Sequence, residues 1–273
     1  MTSQNSNNVP AIEDWANLLS GKVAVVTGGA DGIGKGISSL FATHGAKVEI
    51  VDNDNLLLSE TVDQIRALGG KAYAHTADVR DEDQVLEVKK IVIERHGSID
   101  VLVNNVGDYR PLVRFIDSSP GSWKEMYDIN LHHVFLVTHA FLQLMIDSGG
   151  GSIINISSIN GDRAMPGMAG YSSSKAALLH LTRLASMETA GQNIRVNAVT
   201  PGPIMTPGTE AFIQSDPKAG EAIAAGIPMQ RMGRPEEVAN VVLFLASDMS
   251  SYVTGANIPV DGGKANELAV NQG

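Results

Sequence analysis

The stretch KVAVVTGGADGIGKGI, Lys22–Ile37, combines three features in an order that decides the fold. It begins with an apolar, β-branched run, passes through a glycine-rich turn and ends in residues compatible with a helix. The apolar run does not alternate with polar residues, which indicates a strand buried on both faces. A buried strand joined to a helix by a tight turn is typical of an α/β fold with a parallel sheet.

The same alternation of strand and helix continues along the chain. Six further apolar runs follow, namely KVEIVDN, KAYAHTADV, IDVLVNNVG, SIINISS, IRVNAVTPG and NIPVDGG. Their order predicts a seven-stranded parallel sheet with helices on both faces and right-handed crossovers. We find no linker, repeat or shift in composition. We therefore predict one domain over residues 21–273, preceded by a partly disordered extension over residues 1–20.

Composition excludes several classes of protein and site. The 273 residues are 43% hydrophobic, enough for one large core. The net charge of −10 and the lack of any Lys/Arg-rich run argue against nucleic acid and anionic membranes as partners. The chain has no cysteine, and no pair among His132, His133 and His139 has a carboxylate partner at a recognised ligand spacing, so we predict no metal site. The N-terminus lacks a signal-peptide pattern, which makes a cytoplasmic protein the default expectation.

The glycine turn is suited to an anionic ligand. Gly28 permits a tight exit from the strand, Gly32 allows close approach to the backbone, and Gly34 allows the helix to pack against the sheet. The helix that follows directs its N-terminus toward this turn, where it favours a pyrophosphate. Glycine clusters are often only turns, but this one lies between a buried strand and a helix.

Asp52 ends the second predicted strand. A carboxylate in this position can accept both hydroxyl groups of an adenosine ribose. The alternative is a helix cap for the residues that follow, a role that Asp54 or Asn55 can fill equally well.

Tyr171 and Lys175 lie one turn apart in the stretch GYSSSKAALLHL, Gly170–Leu181. Residues at this spacing share one face of a helix. Taken alone, the pair is compatible with a half-buried tyrosine beside a solvated lysine. As a functional pair, the ammonium favours the phenolate and lowers the phenol pKa toward the neutral range.

These motifs, taken together, resemble the short-chain dehydrogenase/reductase family. The resemblance covers about residues 21–263, and its one departure is Val106, where the family usually has Ala. The motifs that carry it are TGGADGIG (27–34), DVRD (78–81), NNVG (104–107), Asn130, Ser158, YSSSK (171–175), PGPIMT (201–206) and RMGRPEEVA (231–239).

The resemblance implies a single-domain Rossmann fold and assigns four catalytic residues. Tyr171 is expected to be the general acid/base and Ser158 to polarise the substrate oxygen. Lys175 is expected to bind ribose and, together with the positive nicotinamide of the oxidised cofactor, to lower the phenol pKa. Asn130 is expected to interrupt its helix and hold a water beside Lys175, although a surface asparagine is the alternative. Ser157 has the wrong spacing from Tyr171 for the serine role.

The cofactor implied is NAD, because the chain offers acids rather than cations near the ribose. Asp31 adds a second negative charge, and Asn104 is expected to hold the turn after the fourth strand. The predicted cofactor contacts are Gly28, Asp31, Gly32, Ile33, Gly34, Asp52, Asp78, Val79, Asn105, Val106, Gly107, Tyr171, Lys175, Pro201, Gly202, Ile204 and Thr206.

The substrate pocket is predicted to be apolar and closed by a lid over about residues 205–233. We expect Met205, Met229 and Met232 to line it from the lid, and Met165, Pro166 and Met168 to form the opposite wall. Two interpretations of residues 108–110 stay open, since they fit either the substrate mouth or a solvated loop.

The function predicted is NAD(H)-dependent interconversion of a secondary alcohol and a ketone, in a homotetramer that binds a small-molecule substrate. One alternative is an NADPH-dependent 3-ketoacyl thioester reductase, which would want a basic residue near the ribose. The other is a nucleotide-sensing module without catalysis, which would usually have lost Tyr171, Lys175 or Ser158.

Overall fold

Seven parallel strands form one sheet in the computed structural model, which describes residues 14–266. The sheet order is β3-β2-β1-β4-β5-β6-β7, so the direction of winding reverses between β1 and β4. The predicted strand count and parallel orientation are confirmed. The strands are β1 Val23–Thr27, β2 Lys47–Asp52, β3 Lys71–Thr76, β4 Val101–Asn104, β5 Gly151–Ile156, β6 Ile194–Pro201 and β7 Asn257–Val260.

Helices cover both faces of the sheet, as predicted. On one face α1 packs against α9, and on the other α3 packs against α5. The helices are α1 Gly32–Thr43, α2 Asn55–Ala67, α3 Glu82–His96, α4 Pro120–Tyr127, α5 His133–Asp147, α6 Ala169–Thr189, α7 Pro207–Ser215, α8 Pro217–Ala225 and α9 Pro235–Ala246.

Strand β1 shows why its sequence has no alternation. Ala24 and Val26 belong to the core beneath α1, α2 and α9, whereas Val23 and Val25 belong to the core beneath α3 and α5. Successive side chains of a strand point to opposite faces, and here both faces are dry. Leu19 is also fully buried in the first core, so packing begins within the predicted extension. The predicted disorder concerns residues 1–13, which lie outside the described residues.

Local signals in the sequence fix the ends of several helices. Helix α2 is capped by Asp54, whose carboxylate accepts hydrogen bonds from the backbone N–H groups of Leu56 and Leu57. Helix α3 is capped by Asp81 in the same way and ends at Gly97, which adopts the left-handed conformation. Each cap satisfies donors that the first turn of a helix leaves without partners.

The long helix that the sequence indicates over residues 122–147 is interrupted. Helix α4 ends at Tyr127, a π-helical turn covers Asp128–His132, and α5 continues from His133. By length and composition alone, the run Pro120–Asp147 is apolar enough to cross a membrane. However, Val137, Phe141 and Met145 of this run are buried in the core against the sheet. The run is therefore a core element of the fold.

A buried carboxylate connects the edge of the sheet to α3. Glu49 in β2 is fully buried and binds His75 of β3, Arg95 Nη1 at 2.6 Å and His96 Nε2 at 2.5 Å. Burial acts to raise the pKa of the Glu49 carboxyl, but hydrogen bonds from His75, Arg95 and His96 outweigh it and hold the pKa below its usual value. The cluster thus fixes the C-terminal end of α3 to β2 and β3.

We expect Glu49→Gln to lower the free energy of unfolding by about 3 kcal/mol, because it leaves the Arg95 guanidinium without its counter-charge and the buried His75 and His96 rings without the carboxylate they bind. Urea denaturation measures the loss. Glu94→Gln, an exposed change on α3, is the matched control and should have little effect.

The pH dependence follows from the sign of the pKa shift. Because the folded pKa of Glu49 is lowered, its contribution is complete above the ordinary value of 4.5 and is lost as pH falls through the folded pKa. The difference between Glu49→Gln and the unchanged protein should therefore shrink in acid. A difference that stayed constant down to the acid transition would contradict this assignment.

Candidate active site

A cavity of about 1770 Å³ lies at the carboxyl ends of the strands, where the winding of the sheet reverses. Ligands of open α/β sheets bind at this position. Two of the predicted site residues, Gly34 and Asn130, do not line this cavity. The predicted residues that line the cavity are Gly28, Asp31, Gly32, Ile33, Asp52, Asp78, Val79, Asn105, Val106, Gly107, Ser158, Tyr171, Lys175, Pro201, Gly202, Ile204 and Thr206.

The glycine turn brings backbone unusually close to backbone. A Cβ built on Gly34 would lie 1.9 Å from the carbonyl oxygen of Gly28, so no side chain fits there. Gly28 and Gly32 have φ values of +60° and +50°, which favour glycine. Asp31 occupies the N-cap position of α1, yet its side chain makes no capping hydrogen bond. The N–H groups of the first turn are therefore without a side-chain cap, a geometry that fits a pyrophosphate.

The position of Asp52 separates its two interpretations. Asp54 caps α2, so Asp52 is not needed as the cap. The Asp52 carboxylate accepts hydrogen bonds from the N–H groups of Ala30 and Asp54, both at 3.1 Å, and lines the cavity. The carboxylate is thus fixed at the edge of the glycine turn, where a ribose would lie.

Arg80 is a cavity residue that sequence reasoning missed. Its guanidinium binds the Asp78 carboxylate, with Nε at 2.9 Å from Oδ1 and Nη2 at 2.5 Å from Oδ2. The hydrogen bonds from Arg80 hold the pKa of Asp78 below its usual value. Arg80 is therefore a cation within this cavity, and its charge is matched by Asp78. The spacing of two residues in DVRD was the available signal.

The turn after β4 is fixed to β1 by Asn105. Its side-chain Nδ2 donates to the carbonyl oxygens of Thr27 and Gly28 at 3.1 and 3.0 Å. Asn104, which was expected to hold this turn, is instead buried in the sheet and donates to Asn155 in β5 and Thr138 in α5. Side chains alternate along a strand, so neighbouring asparagines serve different neighbours.

His133 supports the same turn from behind. Its Nε2 lies 3.1 Å from the carbonyl oxygen of Val106, which can only accept, so Nε2 carries the proton. Burial lowers the pKa of His133 to about 3 and keeps the ring neutral. In the sequence, the only indication of this role was that His133 is a polar residue on an otherwise apolar helix face.

Tyr171, Ser158 and Lys175 meet at the centre of the cavity. Tyr171 and Lys175 occupy the first turns of α6, with Lys175 Nζ 5.8 Å from the centre of the Tyr171 ring. Lys175 is 3% exposed and donates from Nζ to the carbonyl oxygen of Ile156 at 3.0 Å. The alternative of a solvated lysine is therefore wrong.

Burial changes the pKa values of both Tyr171 and Lys175. Burial raises the pKa of the Tyr171 phenol above its usual value, and the hydrogen bond with Ser158 offsets only part of that effect. Burial also lowers the pKa of Lys175 to about 8. The lowering of the phenol pKa was predicted for Lys175 together with the oxidised nicotinamide, and in the protein alone burial acts in the opposite direction.

Asn130 lies in the π-helical turn and is fully buried, as its proposed interruption of the helix requires. Its Nδ2 donates to the carbonyl oxygens of Asp108 and Met126 at 2.7 and 2.9 Å, and its Oδ1 accepts from the N–H of Asp108 at 3.1 Å. The surface interpretation of Asn130 is therefore wrong. Its side chain positions the loop that carries Gly107 past Lys175.

Residues 108–110 line the cavity, which favours the substrate mouth over a solvated loop. The guanidinium of Arg110 binds Asp108 through two hydrogen bonds, at 3.0 and 3.1 Å. The Tyr109 ring packs edge-on against Tyr171 with centres 6.1 Å apart. The three residues thus form one wall beside the central phenol.

Helices α7 and α8 lie within the range predicted for the lid. Met232 lines the cavity from the lid side, and Met165 and Met168 line it from the opposite wall. Met205, Met229 and Pro166 are absent from the cavity lining, contrary to expectation. The remaining lid contacts are Gly208, Thr209, Phe212, Ala222, Ile223 and Gly226.

Comparison with known proteins identifies relatives along almost the whole chain. The family model described as enoyl-(acyl carrier protein) reductase matches residues 14–265. The 3-oxoacyl-[acyl-carrier-protein] reductase FabG of Thermotoga maritima is 45% identical, over 90% of this chain and 98% of that protein. The 7alpha-hydroxysteroid dehydrogenase of Escherichia coli is 35% identical, over 92% of this chain and 96% of that protein.

Solved structures share the fold. A structure described as a putative short-chain dehydrogenase/reductase from Burkholderia xenovorans has a TM-score of 0.89 at 36% identity, over 93% of this chain and all of that chain. A 7α-hydroxysteroid dehydrogenase complexed with NADH and 7-oxo glycochenodeoxycholic acid has a TM-score of 0.87 at 35% identity, over 93% of this chain and 99% of that chain.

Proposed function

This chain belongs to the short-chain dehydrogenase/reductase family, and from that premise we propose that it interconverts a secondary alcohol and a ketone with NAD(H). One observation carries the proposal. Tyr171, Ser158 and Lys175 meet in a cavity that also contains an uncapped glycine turn and a fixed carboxylate, Asp52.

Each residue of the site has its own role in the proposed reaction. The nicotinamide ring, when bound, supplies or accepts the hydride. In the reductive direction the Tyr171 phenol donates its proton to the oxygen that gains negative charge, and in the oxidative direction it takes that proton back. The Ser158 hydroxyl, which already contacts the phenol, donates a hydrogen bond to the same oxygen. Lys175 and Asn130 position the groups around them.

Several side chains fit an adenine dinucleotide. Gly28, Gly32 and the first turn of α1 would hold the pyrophosphate, and Asp52 would accept the ribose hydroxyls. Ile204 and Thr206 would lie beside the nicotinamide. The NADH present in the structure of the related hydroxysteroid dehydrogenase supports this choice of cofactor.

A 3-oxoacyl thioester reductase is the second candidate, because FabG of Thermotoga maritima is 45% identical along its length. Assays of secondary alcohols, simple ketones and 3-oxoacyl thioesters separate the two functions. Secondary alcohols with NAD should give NADH, whereas a 3-oxoacyl thioester reductase would reduce the thioesters far faster than simple ketones. Turnover of neither class would favour a nucleotide-sensing module.

Tyr171→Phe should lower kcat by about 10²- to 10⁴-fold, because it removes the proton that the oxygen receives. NADH binding, measured by fluorescence titration, should stay close to that of the unchanged protein. Tyr252→Phe, at a fully exposed tyrosine, is the control. Lys175→Ala should damage both turnover and NADH binding. Near-normal turnover in Tyr171→Phe would refute the assigned mechanism.

Asp52 should carry most of the preference for NAD over NADP. A 2′-phosphate at about 4 Å from a carboxylate is repelled by roughly 4 kcal/mol at an effective dielectric of about 20. If about half survives screening, kcat/KM for NAD should exceed that for NADP by about tenfold to several hundredfold.

The measurement is kcat/KM for both cofactors with one alcohol, in the unchanged protein and in Asp52→Ala. Asp63→Ala, an exposed change on α2, controls for loss of an acidic residue. Equal use of NADP by the unchanged protein would show that the ribose site is misassigned. An unchanged ratio in Asp52→Ala would move the discrimination to Asp31.

We also propose a homotetramer with 222 symmetry. Apolar side chains remain exposed on the outer faces of α5 and α6, including Phe135, Leu184 and Met187. A groove of about 420 Å³ between these helices is lined partly by Leu131, Phe135 and Leu181. Pairing of such faces across a two-fold axis would cover them. Light scattering should return the mass of four chains, and a monomer mass at micromolar concentration would contradict the proposal.

A further inference from the structure

The substrate side of the cavity contains a cation that the catalytic steps do not use. Arg163 follows the 3₁₀ turn after Ser158 and lines the cavity, and Lys264 lines it from the segment after β7. Neither residue belongs to the motifs that predicted the site. Both lie on segments other than those that carry the glycine turn and Asp52.

Arg163 is held in place by one backbone contact. Its Nε donates to the carbonyl oxygen of Ala265 at 2.9 Å, which ties the segment after β5 to the segment after β7. This contact uses one of the five N–H donors of the guanidinium. Among residues 14–266, no carboxylate forms an ion pair with Arg163.

The acids near Arg163 in the chain bind elsewhere. Asp162 accepts a hydrogen bond from Asn257 Nδ2 at 2.8 Å. Asp261 accepts from the backbone N–H groups of Gly263 and Ala265 at 2.9 and 2.7 Å. Neither of these carboxylates lines the cavity. Within residues 14–266, the remaining guanidinium donors of Arg163 therefore form no ion pair with an acid from the two segments that position it.

The charges that line the cavity are arranged asymmetrically. Asp31, Asp52 and Asp78 lie on the cofactor side. On the substrate side the lining carboxylate is Asp108, and both of its oxygens accept from Arg110. Within residues 14–266, Arg163 is therefore a positive charge on the substrate side that no lining carboxylate pairs with, in a chain whose net charge is −10. A local field of opposite sign to the whole molecule favours an anionic ligand at that place.

Lys264 lies where the lid meets this positive region. A Cβ built on Gly226 would lie 3.1 Å from Lys264 Nζ, which places the ammonium at the C-terminal end of lid helix α8. Cations are favoured at the C-terminus of a helix. The two cations thus come from different segments, one on the catalytic wall and one against the lid.

We propose that Arg163, together with Lys264, forms a subsite for a carboxylate on the substrate, at the end remote from the reacting carbon. A guanidinium recognises a carboxylate through two parallel hydrogen bonds, a geometry that an ammonium does not reproduce. The inference rests on the proposed function, since it names the class of ketone or alcohol as an oxo or hydroxy acid.

The test uses pairs of ketones that differ only in charge. Straight-chain oxo acids of increasing length, and 7-oxo glycochenodeoxycholic acid, are each assayed beside their methyl esters with NADH. For at least one pair, kcat/KM of the acid should exceed that of the ester by about tenfold or more, since hydrogen bonds to charged groups contribute differences of this size. The advantage should decrease as salt concentration rises.

Substitutions test whether the higher kcat/KM of the acid comes from the proposed subsite. Arg163→Gln should lower kcat/KM for the acid by about 10- to 100-fold, mainly through KM, and leave the ester almost unchanged. Arg163→Lys should restore part of the loss because it keeps the charge. Arg114→Gln removes an exposed arginine outside the cavity, paired with Asp117, and is the matched control.

Two outcomes would overturn the inference while leaving the proposed function intact. One is turnover of esters and simple ketones at rates equal to or above those of the acids. The other is an equal loss for acid and ester in Arg163→Gln, which would indicate a structural role. Absence of turnover for every ketone and alcohol would instead reject the proposed function, and the inference with it.

Discussion

The site depends on the burial of one ammonium group. Lys175 is almost inaccessible to solvent, and among the described residues no carboxylate forms an ion pair with it. A buried charge of this kind is costly unless hydrogen bonds and dipoles compensate it. The Ile156 carbonyl oxygen at the end of β5 supplies one such dipole. Burial nevertheless lowers the pKa of the Lys175 ammonium to about 8, so the compensation in the protein alone is incomplete.

The neighbours of Lys175 are arranged around that burial. A Cβ on Gly107 would lie 2.9 Å from Lys175 Nζ and 2.8 Å from Asn130 Oδ1, so only glycine allows the loop to pass between them. Asn130 fixes this loop from the π-helical turn, and His133 fixes it from the first turn of α5. The ammonium, the loop and the interrupted helix therefore form one packed unit.

The sequence predicted the parts of the structure that depend on repeated local patterns. Runs such as Val23–Thr27 lack alternation because both faces of the sheet are buried, and this property is visible residue by residue. The roles of the glycines at 28, 32 and 34 are also local, since Gly28 and Gly32 have positive φ values and Gly34 has no room for a side chain. Most of the predicted site residues consequently line one cavity.

Other features depend on partners that are distant in sequence. Asn104 bonds to β5 and Asn105 bonds to the turn after β1, because these two strands lie on opposite sides of β4. Arg80 pairs with Asp78 through a side-chain conformation, which spacing alone does not specify. The apolar pattern by itself gave no sign of the π-helical turn, and the interruption was expected only from the family resemblance, which assigns this role to Asn130. Loop packing also decides that Met232 lines the cavity while Met229 does not.

Burial acts in opposite directions on the two central groups, and this difference bears on the direction of the reaction. It raises the pKa of Tyr171 and lowers that of Lys175, because each shift favours the neutral form. A phenol whose pKa lies above its usual value of about 10 is protonated at neutral pH. In the proposed mechanism Tyr171 would therefore be ready to give a proton, as reduction of a ketone requires. Oxidation of an alcohol requires the phenolate, whose formation needs positive charge beyond what Lys175 provides in the protein alone.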